Sequence, residues 1–254
     1  MNDSDKVSRL KEFYDKAFFK TTGSILDIKS NTLYFIKSTK YLKYIKEDIP
    51  NIHIIVPKEV IPVDEIKDNI SYYTADNVQY VFGEVHNYIH NSMTYYSLSN
   101  IRSSTFVHDT AVLNAEGIHL YHTPDGNKKQ LKHISHTNIG ANTTVGANTI
   151  IHRGVLEPTI IGDYVTIGSM VNIGHNCYID DHSVITPGCV LSGRVRIGKN
   201  CWIGVNSSFK HGVRICNNVV IGQHSNVRHN ITRPGIYAGE PLRKISEYTE
   251  GWNF

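Results

Sequence analysis

Histidines recur at one position of a regular pattern in the C-terminal half of this 254-residue chain. His175, His211 and His229 share one register of that pattern, and Gly193 occupies the place between the first two. An imidazole with a pKa of about 6.5 accepts a proton near neutral pH, and a neighbouring glycine leaves room for a reacting group. The pattern predicts a general base at His175, and the alternative is that the imidazoles only stack or cap corners.

The element that must position these histidines is a six-residue repeat. A large apolar residue stands at every sixth position, and a small or β-branched residue follows four places later; the apolar positions are Ile161, Ile167, Ile173, Ile179, Ile185, Leu191, Ile197, Ile203, Phe209, Ile215, Ile221 and Val227. A period of six fits neither a helix nor a simple strand and indicates a parallel β-helix. Three hexads form one coil, and coils stack about 4.8 Å apart. His175 and His211 are therefore predicted to lie two coils, about 9.6 Å, apart.

Two interruptions break the repeat upstream. The apolar positions continue back through Ile139, Val145 and Ile151, but the next interval, from Ile151 to Ile161, is longer than one hexad, which predicts a four-residue bulge within 152–159. A longer interruption over 115–136 contains a Pro-Asp-Gly turn and is predicted to form a protruding hairpin. Such excursions commonly carry binding groups, although a decorative loop is the alternative.

The composition changes near residue 100, because eleven of the fifteen Tyr lie before residue 122. Residues 1–100 carry amphipathic helical patterns over 7–19 and 78–90 and a strand pattern over 52–56, so a small α/β domain is predicted there. The β-helix domain is predicted over 101–233, with its hairpin over 115–136, and a C-terminal tail over 234–254.

Charge and cysteine content limit the function classes. The net charge is only +3 with both signs interspersed, which argues against a nucleic-acid partner and is compatible with phosphate-bearing small ligands. No signal-peptide or membrane-spanning pattern is present, so a cytoplasmic protein with no membrane partner is expected. Cys177, Cys189 and Cys201 fall on small inward positions and are predicted to be reduced core residues.

The runs IGANTT (139–144) and HRGVLEPTIIGDYVTIGSMVNIGHN (152–176) are similar to those of the hexapeptide-repeat acyltransferases, above all the UDP-3-O-acyl-glucosamine N-acyltransferases of lipid A biosynthesis. YFIKSTKYLKYI (34–45) resembles the nucleotide-binding segment of those enzymes. GIYAGEPLRKI (235–245) resembles the closing motif of coenzyme A-dependent sugar acetyltransferases. The resemblance implies a mainly β protein, with a left-handed parallel β-helix after a small α/β domain, that forms a homotrimer with clefts between subunits.

The resemblance also implies residue roles. His175 matches the general base and Asn176 follows it as in the family motif, while Gly174 or a neighbour is the candidate backbone donor to the oxyanion. The remaining candidates are Phe35, Ser38 and Tyr41 for the nucleotide, His152, Glu157 and His211 for the acceptor sugar, Gly239 and Pro241 for the pantetheine channel, and Arg243 and Lys244 for the cofactor phosphates. For Arg243 and Lys244 the alternative is a solvated helix start.

The sequence departs from the family pattern in several places. His152 stands where the family has Asp, Ser38 stands where it has Asn, and an extra hexad separates IGANTT from HRG. The lipid A enzymes carry a C-terminal helical extension that engages acyl carrier protein, whereas this sequence ends at Phe254. Coenzyme A is therefore the expected acyl carrier.

The sequence thus predicts an enzyme that moves an acetyl or short hydroxyacyl group from acyl-CoA to the amine of a UDP- or dTDP-linked amino sugar. Such products feed polysaccharide biosynthesis, and no metal is required. The alternatives are a lipid A-type N-acyltransferase, a sugar O-acetyltransferase, a non-catalytic nucleotide-sugar binder, and a carbonic-anhydrase-like metal enzyme using His175, His211 and Cys216.

Overall fold

The computed structural model describes residues 1–16, 21–24, 28–45, 49–60, 69–91 and 99–248. In chain order its helices and strands are α1 (Asp3–Asp15), β1 (Thr21–Thr22), β2 (Thr32–Phe35), β3 (Ile52–Pro57), β4 (Ile70–Ala75), α2 (Val78–His90), β5 (Asn100–Ile101), β6 (Phe106–Val107), β7 (Val112–Ala115), β8 (Leu120–His122), β9 (Lys128–Gln130), β10 (Thr137–Ile139), β11 (Thr144–Val145), β12 (Ile150–His152), β13 (Thr159–Ile161), β14 (Thr166–Ile167), β15 (Asn172–Ile173), β16 (Tyr178–Ile179), β17 (Val184–Ile185), β18 (Val190–Leu191), β19 (Arg196–Ile197), β20 (Trp202–Ile203), β21 (Ser208–Phe209), β22 (Arg214–Ile215), β23 (Val219–Ile221), β24 (Asn226–Val227), β25 (Gly235–Ala238) and β26 (Arg243–Ser246). Short 3-10 helices span Thr39–Tyr44 and Lys58–Val60. Neither described α-helix has the length and apolar character needed to cross a membrane.

The chain divides into two compact units. The N-terminal unit contains Met1–Tyr95 and Ile118–Lys132, and the solenoid unit contains Tyr96–Gly117 and His133–Phe254. The sequence placed the whole 115–136 hairpin in the β-helix domain, whereas residues 118–132 group with the N-terminal unit. The reason lies in Tyr121, whose ring packs against Gly83 and whose hydroxyl donates to Glu84 at 3.0 Å.

The N-terminal unit contains a four-stranded parallel sheet in the order β1-β2-β3-β4. Strand β3 includes the predicted 52–56 run, and α2 spans the predicted 78–90. Helix α1 begins earlier than the predicted residue 7, because Asn2 and Asp5 form a capping box that starts the helix at residue 3. Phe19, the predicted end of that helix, lies outside the described residues.

The solenoid unit is built from three sheets, which confirms the predicted parallel β-helix architecture. Their orders are β22-β19-β16-β13-β10-β5, β26-β25-β23-β20-β17-β14-β11-β6, and β24-β21-β18-β15-β12-β7. Neighbouring strands pair in parallel register one coil apart, as with Ile161 and Ile179, except for the antiparallel terminal pair β25–β26. All twelve predicted apolar positions are buried. Since each coil bonds mainly to its two neighbours, stacking supplies the core that one coil lacks.

Both predicted interruptions are present. Thr137 of β10 pairs with Thr159 of β13, whereas Ile161 pairs with Ile179 in the regular register, so the earlier coil is longer by the predicted bulge. Strands β8 and β9 form the predicted hairpin as an antiparallel pair. Cys177, Cys189 and Cys201 are free and buried, and burial raises the pKa of the Cys177 and Cys201 thiols to about 12.

Corners between strands require left-handed backbone, which Asn tolerates better than other non-glycine residues. Asparagine accordingly occupies many solenoid corners with positive φ: Asn142, Asn148, Asn176, Asn200, Asn206 and Asn218.

Two buried histidines form a hydrogen-bond relay inside the N-terminal unit. The carbonyl of Lys132 accepts from His86 Nε2 at 2.8 Å, so the Thr22 hydroxyl donates to His86 Nδ1 at 2.6 Å. The same hydroxyl oxygen accepts from His90 Nε2 at 3.0 Å. Burial lowers the pKa of His86 to about 3 and that of His90 to about 4. Both rings are therefore neutral in the folded protein at neutral pH.

This relay predicts acid lability. Because the folded-state pKa values lie below the unfolded value of about 6.5, the stabilisation is complete above that pH and is lost as the pH falls toward about 4. Each proton that is taken up only on unfolding lowers the free energy of unfolding by up to about 1.4 kcal/mol per unit fall in pH. In urea denaturation of the whole chain across this window, His86→Gln should reduce the slope, whereas exposed His224→Gln should not. Equal slopes in wild type and His86→Gln would contradict the assignment.

Candidate functional site

The predicted histidine column lies on one wall of the solenoid. His175, Gly193 and His211 follow β15, β18 and β21, which are consecutive strands of the third sheet. His175 is only 6 % exposed, whereas His211 is exposed. The shared register therefore brings a buried imidazole and an exposed one to the same corner.

Gly193 lets these two rings approach. The ring centroids of His175 and His211 are 5.9 Å apart, closer than the predicted two-coil backbone spacing, because the side chains converge over the glycine between them. A Cβ at Gly193 would lie 2.5 Å from His175 Nε2. The His175 ring therefore fills the place that a side chain at the buried Gly193 would take, and we call this place the Gly193 notch.

Asn176 fixes the protonation of His175. Its amide nitrogen donates to the Glu157 carbonyl at 2.7 Å, and its Oδ1 accepts from the Val155 N–H at 3.1 Å, so the amide orientation is determined. The same Oδ1 lies 2.9 Å from His175 Nδ1. Nδ1 must therefore carry the proton, which leaves the lone pair on Nε2 beside the notch.

The bulge in the repeat is part of this clamp. The Asn176 N–H donates to Thr159 Oγ1 at 2.9 Å, so Asn176 holds the bulge by both its backbone and its side chain. The bulge also requires Gly154, because a Cβ there would overlap the Glu157 carbonyl oxygen. The interruption in the repeat thus exists next to the base and is bonded to it through Asn176.

The local field favours a neutral imidazole at His175. Burial lowers its pKa, the Asn176 hydrogen bond opposes that effect, and the nearby Arg194, His211 and His152 lower the pKa further. Burial and Arg194 also lower the pKa of His211. A neutral His175 is the form that can accept a proton.

The base of the hairpin adds residues that the sequence analysis missed. His133 is fully buried, and its ring lies edge-to-face with His175 at a centroid distance of 5.2 Å. The Gly117 N–H donates to His133 Nδ1 at 3.2 Å, and the Glu116 carboxylate accepts from the His133 N–H at 2.9 Å. No period could locate His133, because it stands outside the hexads.

Of the predicted acceptor-sugar residues, the structure places three around this corner. His152 acts on the pKa of His175 and donates from Nδ1 to the Glu116 carbonyl at 3.1 Å. Glu157 contacts Asn176 through its carbonyl, and His211 faces His175 across the notch.

Gly174, or a neighbour, was the predicted backbone donor to the oxyanion. The Gly174 N–H donates to the Leu191 carbonyl at 2.8 Å, as part of the ladder between coils. The Gly193 N–H, by contrast, makes no hydrogen bond among the described residues. Gly193, which lies against His175, therefore has a backbone N–H of the kind that the sequence predicted for the oxyanion.

The nucleotide candidates lie in the N-terminal unit. The Phe35 ring packs on Phe82 at 4.6 Å, and Tyr41 packs against the core of that unit with Lys40 Nζ 5.1 Å from its ring centre. Ser38 accepts from the Tyr41 N–H through its carbonyl.

The cofactor candidates lie in the terminal hairpin of the second sheet. Gly239 has φ +91 between β25 and β26, and Pro241 follows it. Arg243 and Lys244 are exposed residues of β26, so they begin a strand and not a helix, and Lys244 pairs with Glu247 at 2.6 Å. Within the solenoid unit the structure does not bring this hairpin to His175, which follows β15 of a different sheet.

The described residues contain no group of three His, Cys, Asp or Glu side chains arranged to hold a metal ion. The alternative ligand set of His175, His211 and Cys216 therefore gains no support from the geometry.

Asn176 offers a test of the clamp. Asn176→Ala removes the hydrogen bonds to the bulge and strains a backbone with φ +57, so the free energy of unfolding should fall by about 3 kcal/mol or more. Asn148→Ala is the matched control: its φ is also +57, its side chain makes no hydrogen bond among the described residues, and it should lose about 1 kcal/mol. Nitrogen-15 NMR of the rings should show a single His175 tautomer in wild type and a mixture in Asn176→Ala. Equal losses in the two variants, with one tautomer throughout, would refute the clamp.

Comparison with known proteins supports the repeat and the fold. Residues 158–193 and 194–229 match the family described as bacterial transferase hexapeptide (six repeats), and residues 136–169 match the hexapeptide repeat of succinyl-transferase. The solved structure of LpxA from Acinetobacter baumannii aligns with a TM-score of 0.55 at 14% identity, covering 92% of this chain and 75% of that one, which supports the fold alone.

Two curated relatives match part of the chain by sequence. A UDP-3-O-acylglucosamine N-acyltransferase of Coxiella burnetii (strain Dugway 5J108-111) is 34% identical over 150 residues, 59% of this chain and 44% of the relative. The protein of that name from Helicobacter pylori (strain ATCC 700392 / 26695) is 28% identical over 101 residues, 40% of this chain and 30% of the relative. The matched region thus spans less than half the length of these relatives. From residue 136 to residue 229 the chain carries the hexapeptide repeats of bacterial transferases, folded as a parallel β-solenoid.

Proposed function

We propose that this protein is a nucleotide-sugar N-acyltransferase that moves an acetyl or short hydroxyacyl group from acyl-CoA to the amine of a UDP- or dTDP-linked amino sugar. The observation that carries the proposal is the buried His175, with Nδ1–H bound to Asn176 and Nε2 packed against Gly193. The names of the curated relatives, which specify N-acylation of a UDP-linked acylglucosamine, support the reaction class.

In this mechanism the nitrogen of the acceptor amine bonds to the thioester carbonyl carbon, and Nε2 of neutral His175 takes a proton from that amine. The resulting tetrahedral intermediate collapses with cleavage of the carbon–sulfur bond. The departing thiolate then takes the proton from Nε2, so the imidazole returns to its starting form. The lowered pKa of His175 keeps the base neutral at neutral pH.

We propose that the Gly193 N–H stabilises the oxyanion, in place of the N–H of Gly174. A preorganised backbone donor next to the base places developing charge and proton acceptor on the same wall. Exposed Arg194, which follows directly, adds positive potential at this corner.

We assign substrate binding to the remaining candidate residues. His152, Glu157 and His211 would contact the acceptor sugar, and Phe35, Ser38 and Tyr41 the nucleotide. Gly239, Pro241, Arg243 and Lys244 would hold coenzyme A. Because this last group lies on another sheet from His175, we propose that a homotrimer supplies it from a neighbouring subunit.

The test is a free-thiol assay with acetyl-CoA and a panel of UDP- and dTDP-amino sugars, run beside nucleotide sugars that carry only hydroxyls. Thiol release with one amino sugar is expected. Release only with hydroxyl sugars would indicate O-acylation instead. Release only from acyl carrier protein thioesters would indicate the lipid A reaction.

Loss of the base should be severe. His175→Asn should lower turnover by about 10²–10⁴-fold, the usual contribution of a general base. His224→Asn is the control, since His224 is an exposed corner residue with φ +54, a conformation that Asn adopts readily. Wild-type turnover in His175→Asn would remove His175 from the mechanism.

Gly193→Ala tests the notch. The added Cβ would lie 2.5 Å from Nε2, so it should displace the His175 ring and lower turnover by about 10²-fold or more. The fold should be retained, which circular dichroism would check. Full turnover in Gly193→Ala would show that the position of the His175 ring against Gly193 is not required.

A further inference from the structure

The chain leaves the solenoid unit after Gly117 and re-enters it at His133. Both residues contact the histidine corner. A Cβ at Gly117 would lie 2.7 Å from Cε1 of His133 and 3.3 Å from Cβ of His175, so this glycine fits closely between the two histidines. The base of the hairpin is therefore packed on the proposed general base.

His133 is held in one form. Its Nδ1 accepts the Gly117 N–H, so the neutral ring carries its proton on Nε2. Full burial and the hydrogen bond from its backbone to Glu116 fix the residue further.

The return leg of the hairpin is also joined to His175 by hydrogen bonds. The Ile134 N–H donates to the Val155 carbonyl at 2.9 Å, and the Val155 N–H donates to Asn176 Oδ1, which accepts from His175 Nδ1. His175 is thus linked to the return leg in two ways. Its ring packs against His133, and a series of hydrogen bonds connects it through Asn176 and Val155 to Ile134.

We propose that His133 is a positioning residue: its neutral ring, seated by Gly117, holds the His175 imidazole with Nε2 toward the Gly193 notch and keeps water from its buried face. This role rests on the proposed function of His175 as the base. It nevertheless has a readout in the free protein. The orientation that His133 holds keeps Nδ1 on Asn176 Oδ1, and the exclusion of water keeps the pKa of His175 low, both without substrate.

The experiment uses the whole chain and three variants. His133→Phe keeps an aromatic ring but removes the acceptor, His133→Asn restores an acceptor for the Gly117 N–H, and Gly117→Ala displaces His133 without removing its imidazole. His122→Asn, an exposed change in the same hairpin, is the control. Nitrogen-15 NMR, with His175 assigned from His175→Asn, follows tautomer and titration. The groups that face His175 in this titration are His133, His152, Arg194 and His211.

We expect His133→Phe and Gly117→Ala to admit water, to give a mixture of His175 tautomers and to move its pKa up toward about 6.5. The acid limb of kcat/KM should move to higher pH, and kcat should fall about 10–100-fold with the KM for the acyl donor unchanged. His133→Asn should recover much of both. An unchanged His175 tautomer and pKa in His133→Phe and Gly117→Ala would overturn the proposal. If no acyl transfer is found in wild type, the proposed function fails while the NMR result still decides the role of His133.

Discussion

The amide of Asn176 is the interaction on which the site depends. One oxygen accepts from both His175 Nδ1 and the Val155 N–H, and the amide nitrogen donates to Glu157. If that amide turned over, the imidazole and the bulge would each lose their partner. The tautomer and orientation of the His175 ring are thus coupled to the conformation of the bulge, because a single planar amide bonds to both.

The site is a solenoid corner put to another use. Corners select asparagine for its tolerance of positive φ, and at most corners that tolerance is what the residue contributes. At Asn176 the same backbone conformation also directs the side chain to the bulge of the preceding coil. Structural demand and chemical demand therefore coincide at Asn176.

Much of the fold could be predicted because a period of six has few physical solutions. The hexads predicted the three sheets, and the long interval before Ile161 predicted the bulge. The backbone register also predicted the histidine column. It did not predict that the rings of His175 and His211 converge, because that depends on how the side chains pack where Gly193 has none. His133 was missed because contacts made by an excursion have no period.

The hydrogen bond made by the Gly174 N–H follows from the repeat. The residue directly after each inward apolar side chain donates to the next coil, at Gly162, Gly174 and Gly198 alike. Such a position is committed to the ladder. The corner position two places later than the apolar residue has no such commitment at Gly193, and free backbone donors should be sought there.

The uniform coil height has a consequence for how such a molecule can vary. From β13 onward, parallel strands repeat once per coil of three hexads, and each coil depends only on the coils above and below it. The corner of His175 and the terminal hairpin at β25 and β26 are therefore separated by stacked coils. Gain or loss of a complete coil beyond His211 would change their separation along the solenoid axis by about 4.8 Å. The length of the solenoid and the chemistry of its corner are consequently independent variables.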